Sequence, residues 1–129
     1  MSNEESIKTI LIVDDEPDVV FVLKMALEKN GYKTLAASNG VEGLEKVRAF
    51  HPDAIILDLM MPKLDGHSVN LRLKEDPQTA QIPVIIVTGK GHLKELLDIR
   101  EDLKVTAYLE KPFPVALLLE KLSEIFKTS

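Results

Sequence analysis

The chain has 129 residues, a formal net charge of −5, no cysteine and a hydrophobic share of 45%. This predicts one globular domain over 1–129, with a polar tail over 1–7 and enough chain for a buried core. Disulfides and thiol chemistry are excluded, the acidic balance argues against direct nucleic-acid binding, and a polar start without long apolar runs predicts no signal peptide, no membrane association and a cytoplasmic location.

In chain order, the first apolar run predicts a strand over 8–13 that stops at Asp14, Asp15 and Glu16. A helix over 17–30 follows, with Pro17 in its first turn and Asn30-Gly31 closing it. Val19, Val22, Leu23, Ala26 and Leu27 form the stripe expected to face a sheet. Val20, Phe21 and Met25 fall off that stripe. They are either scattered surface apolars or a docking patch, since Phe21 and Met25 lie one turn apart.

A second strand is predicted over 32–37, and Asn39-Gly40 opens a helix over 40–50. The third strand, 54–58, ends at Asp58. A helix over 66–75 follows, with Asp65 as its cap candidate. His67 and Asn70 sit in it where apolar residues would help, and Leu71 is expected to face outward. The fourth strand, 83–88, ends at Thr88 beside Gly89, and a helix is predicted over 92–102. The fifth strand, 105–109, leads to Lys111-Pro112-Phe113, where proline restricts the lysine backbone and suits a cis bond. The last helix, 114–127, starts at Pro114 and carries the stripe Val115, Leu118, Leu119, Leu122 and Phe126, with Leu117 off it. Five alternating βα units predict an α/β fold, a parallel sheet with helices on both faces.

Ligand chemistry in such sheets gathers at the carboxyl ends of the strands. Here those ends carry acids after the first and third strands, a hydroxyl after the fourth and an amine after the fifth. One acid before Pro17 would suffice to cap a helix. Three in a row favour a site for a hard cation, which prefers oxygen ligands. Asp58 is too far from the next helix to cap it, which leaves it as a nucleophile or ligand. Thr88 is either ordinary strand propensity or a hydroxyl presented to a ligand. His51, His67 and His92 are not paired at ligand spacing.

In this combination the chain resembles the receiver domain of two-component response regulators, from Lys8 to about Lys127. The matching residues are Asp14-Asp15, Asp58, Met61-Pro62 with Asp65-Gly66, Thr88, Tyr108 and Lys111-Pro112-Phe113. The resemblance implies a flavodoxin-like doubly wound (βα)5 fold with strand order 2-1-3-4-5. It implies Asp58 as phosphoacceptor, taking a phosphoryl group from a phosphohistidine of a sensor histidine kinase or a histidine phosphotransfer protein. Mg²⁺ would be held by Asp15, Asp58 and the Met60 backbone carbonyl, with Asp14 acting through water. Lys111 and the Thr88 hydroxyl would meet phosphoryl oxygens, and Glu16 would stand outside the metal's ligands.

Thr88 and Tyr108 would form the switch. The partner surface would draw on Phe21, Met25, Lys90, Glu95 and Leu117, with the 92–102 helix, the fifth strand and the last helix as output face. Such a protein is a monomer or a weak phosphorylation-dependent dimer, and not a turnover enzyme. Gly43 stands for a frequent alanine and weakens its helix slightly. The alternatives are a receiver excised from a larger regulator or hybrid histidine kinase, and a flavodoxin-like Mg²⁺-dependent phosphatase. The phosphatase wants an Asp-x-Asp pair after the first strand, where this chain has adjacent acids.

Overall fold

The computed structural model describes residues 7–59, 66–89 and 106–127, apart from the His67 side chain. Its elements are β1 (Thr9–Val13), α1 (Pro17–Lys29), β2 (Lys33–Ala37), α2 (Gly40–Phe50), β3 (Ala54–Asp58), α3 (Gly66–Glu75), β4 (Val84–Thr88), β5 (Ala107–Glu110) and α4 (Val115–Lys127). The helix expected over 92–102 lies outside the described residues, as do Met60, Lys90 and Glu95. The strands form one parallel sheet in the order β2-β1-β3-β4-β5.

β3 and β4 are buried along their whole length, which is why they read as unbroken apolar runs. Their side chains alternate between two cores. Leu11, Val13, Ile55, Leu57, Val84 and Ile86 pack under α2 and α3 with Leu44, Val47, Val69 and Leu73. Ile10, Ile12, Ile56, Ile85 and Val87 pack under α1 and α4 with Leu23, Leu27, Leu118 and Leu122. Each fully buried leucine or isoleucine contributes about 1.5–3 kcal/mol.

Two helix faces differ from expectation. Val22 is exposed, while Val20 packs against the core. The buried stripe is centred on Leu23, and at 3.6 residues per turn Val20 stands about 60° from Leu23 but Val22 about 100° away. Leu117, expected off the stripe of the last helix, is half-buried against the same core.

The ends of the elements follow their turn residues. Gly31 takes φ +94 after α1, and the Tyr32 N–H donates to the Leu27 carbonyl at 3.0 Å. Asn39 caps α2 by accepting from the Glu42 N–H at 2.9 Å. α2 closes on His51 at φ 49, a left-handed position that glycine or asparagine usually fills.

Candidate functional site

Strand register builds the site. Val13 pairs with Leu57 and Asp58 with Val87, so Asp14 follows the strand end beside Asp58. Thr88 pairs with Glu110, which places Lys111 next along the same edge. Asp14, Asp58 and Lys111 are in phase with Ile12, Ile56 and Leu109, the side of the sheet covered by α1 and α4. Thr88 and Tyr108 are in phase with Ile86, on the α2–α3 side, and Tyr108 packs against that core.

The phase separates the two adjacent aspartates. Asp14 is 4% exposed and Asp15 is exposed. The expectation that both turn into one pocket does not hold for their side chains: the carboxylate oxygens that gather within 4.8 Å of one another belong to Asp14, Glu16 and Asp58. Asp15 instead lines a neighbouring groove with Phe21, Ser38 and Glu42.

Asp14 is fixed on both oxygens. Its Oδ1 accepts from the Glu16 N–H at 2.9 Å, and its Oδ2 accepts from Lys111 Nζ at 3.0 Å. Lys111 Nζ also donates to Glu16 Oε1 at 2.8 Å and lies 3.7 Å from Asp58 Oδ2. The Lys111 backbone N–H donates to the Thr88 carbonyl at 2.7 Å, and the Lys111–Pro112 peptide bond is cis, as the sequence suggested. Burial works against the Lys111 ammonium. The hydrogen bonds to Glu16 and Asp14 and the attraction of Asp58 and Asp14 outweigh it, so its pKa lies above the ordinary lysine value.

Two features escaped the sequence reading. Glu16, expected outside the site's ligands, makes the shortest bond to Lys111 among the three acids around that ammonium. Gly66 starts α3 against the strand end that carries Asp58. Its N–H donates to the Leu59 carbonyl at 3.0 Å, and a Cβ there would overlap the Asp58 carbonyl oxygen and sit 2.7 Å from the Leu59 Cα. A glycine at the first helical position, in the Asp65-Gly66 pair already matched to the family, was the available signal for that close approach.

The donor set suits a hard divalent cation. The oxygens are carboxylates, and among the described residues three acids face the Lys111 ammonium, a donor set of the kind a hard cation prefers. The Thr88 hydroxyl, 0% exposed, has no hydrogen-bond partner among the described residues. A buried hydroxyl left this way costs stability unless something else uses it.

A model of the response regulator receiver domain matches residues 10–123, and the chain belongs to that family. It is 37% identical over 116 residues to Protein PilH of Pseudomonas aeruginosa, covering 90% of this chain and 95% of PilH. It is 36% identical over 118 residues to the DNA-binding dual master transcriptional regulator RpaA of Synechocystis, covering 92% of this chain but only 48% of RpaA. Among solved structures it is similar to the receiver domain of a sensor histidine kinase from Pseudomonas aeruginosa PAO1, with a TM-score of 0.83 and 26% identity over 92% of this chain and 96% of that one. That domain was solved with a magnesium ion coordinated in its active-site cleft. The acidic pocket of Asp14, Glu16 and Asp58 fits the phosphoacceptor site of a receiver.

Proposed function

We propose that Asp58 is the phosphoacceptor, and that it takes its phosphoryl group from a phosphohistidine on a sensor histidine kinase or a histidine phosphotransfer protein. The observation that carries this reading is the convergence of Lys111 on Asp58 and Asp14 at the carboxyl edge of β1, β3 and β5, with Lys111 Nζ 3.7 Å from Asp58 Oδ2. An Asp58 oxygen forms the new bond to phosphorus as the bond to the imidazole nitrogen breaks and the histidine leaves. Such transfer depends on positioning and charge neutralisation more than on covalent help.

Asp14, Asp15 and Asp58, with the Met60 carbonyl, would hold Mg²⁺, and Asp15 would have to reach in from the exposed side. When bound, the metal supplies positive charge to the transferred group. Lys111 supplies charge from the other side. The Thr88 hydroxyl donates to a phosphoryl oxygen, which gives that buried group its partner. Its movement would open space for Tyr108, half-buried on the same side of the sheet, to turn inward. The chain is modified once per signal rather than turning over a substrate, and a cytoplasmic location fits that role.

Docking of the donor falls to α1. Phe21, Val22 and Met25 are all more than half exposed there. A groove of ≈ 620 Å³ lined by Val19, Val22, Phe113 and Lys111 runs beside them. This suits a helix of the donor protein better than Leu117, which is turned partly into the core. The output functions of regulators such as RpaA, of which this chain spans about half, are not assigned to it.

The test is intact mass measurement after incubation with acetyl phosphate and Mg²⁺. Wild type should gain one phosphoryl group, and Asp58→Ala should gain none. No gain in wild type, or a gain that survives in Asp58→Ala, would sink the assignment.

A further inference from the structure

Building on the receiver reading, the geometry points to Glu16 as a positioning residue that holds the Lys111 ammonium at the rim of the pocket, off Asp58. Glu16 is the N-cap residue of α1, where a side-chain acceptor commonly bonds the helix's first N–H groups. It makes no such bond. Its carboxylate reaches across to Lys111 at 2.8 Å instead, shorter than the 3.0 Å to Asp14 and the 3.7 Å to Asp58.

The three acids differ in depth. The side chains of Asp14 and Asp58 are 4% and 6% exposed, and that of Glu16 is 60% exposed. Glu16 therefore pulls the ammonium outward, against the pull of the two buried carboxylates. With the Glu16 charge removed, the balance point for Lys111 moves inward, between Asp14 and Asp58. There it neutralises the two oxygen donors a divalent cation needs and repels that cation directly. Glu16 keeps the lysine within reach of the phosphoryl group while leaving Asp14 and Asp58 open to metal. The backbone at Glu16 is tied separately, through its N–H to Asp14 Oδ1, so changing the side chain leaves the loop anchored.

A double-mutant cycle on Mg²⁺ affinity, measured by calorimetry, tests this role. Glu16→Gln should weaken Mg²⁺ binding about tenfold, because a unit charge at short range in a partly buried site has an effect of at least that size. In a Lys111→Gln background the same change should cost clearly less, about threefold, because the lysine it restrains is gone and only the direct pull of the Glu16 carboxylate on the cation is lost. An equal loss in both backgrounds overturns the proposal and makes Glu16 a direct partner of the cation. No loss in either overturns it as well.

A second readout needs no metal. In ¹H–¹⁵N spectra of the lysine ammonium groups, the Lys111 protons should exchange with water more slowly in Glu16→Gln than in wild type, because the ammonium then sits between the two buried carboxylates instead of at the rim. Unchanged exchange contradicts the restraint. Wild-type protein that neither binds Mg²⁺ nor gains a phosphoryl group overturns the receiver reading itself. Metal binding and phosphorylation without Glu16–Lys111 coupling overturn only the role given to Glu16.

Discussion

Thr88 shows at a single residue how a functional site differs from a core. Every neighbour along β4 is apolar and buried, and the hydroxyl among them has no partner among the described residues. Valine has nearly the same shape and no polar atom to bury. Thr88→Val should therefore leave stability unchanged or raise it by up to about 1–2 kcal/mol, the cost of burying an unpaired hydroxyl. Urea denaturation measures this, and a loss above about 1 kcal/mol would show that the hydroxyl already has a partner in the fold. The same variant should still accept a phosphoryl group on Asp58 but fail to pass the change to Tyr108. The Tyr108 ring signals in NMR would then be alike with and without acetyl phosphate. Lys111 is the opposite case. Its charge is tied into the pocket by Glu16, Asp14 and Asp58 and persists above the ordinary lysine range. Removing it leaves buried Asp14 with an unpaired charge, whereas removing the Thr88 hydroxyl leaves nothing unpaired.

Among the elements, two helical glycines look alike in sequence and differ in what surrounds them. At Gly66 an added Cβ meets backbone, the Asp58 carbonyl and the Leu59 Cα, which cannot move without displacing the strand end that carries Asp58. Gly66→Ala should cost about 2–3 kcal/mol despite alanine's better helix propensity. A melting curve no lower than wild type would show that this strand end yields. At Gly43 the added Cβ meets only the Val13 side chain, at 3.1 Å from both methyl groups. Alanine there gains about 1 kcal/mol of propensity and pays a similar overpacking cost, so Gly43→Ala should be close to neutral. In a Val13→Ala background the contact is gone and the full gain should appear in the denaturation midpoint. The strands were legible because parallel strands buried on both faces are apolar runs that stop abruptly at polar ends. The inward face of α1 was less legible. Its apolar residues span more than one stripe, and only packing on the sheet decided between Val20 and Val22. The Glu16–Lys111 bond joins residues 95 apart, and no local pattern announces it. Asp58 and Asp14, by contrast, could be paired in advance, because adjacent parallel strands bring their carboxyl ends together.

For the whole molecule, the site concentrates negative charge at the edge of a sheet that is otherwise a well-packed apolar layer. Two of its carboxylates are buried, and among the described residues the oxygens of all three gather within 4.8 Å of one another around the Lys111 ammonium. Like charges so close disfavour one another when no cation is bound. The fold holds them because the apolar clusters on both sides of β1 and β3 fix the strand ends. On the proposed function, stability is thus exchanged for a pocket that takes metal and phosphoryl, the usual trade at functional sites. The consequence is an inversion of stability order. Without divalent metal, Asp58→Asn removes one of the crowded charges and keeps the shape, so it should be about 1–2 kcal/mol more stable than wild type at neutral pH. With Mg²⁺ at a hundred times its dissociation constant, wild type gains about 2.7 kcal/mol by mass action and the variant, lacking a ligand charge, gains much less. Wild type should then be the more stable of the two. Thermal unfolding of both proteins with EDTA and with excess Mg²⁺ measures the four values. If Asp58→Asn is the less stable protein in EDTA, the Asp58 charge is fully compensated in the fold and the pocket carries no stored repulsion.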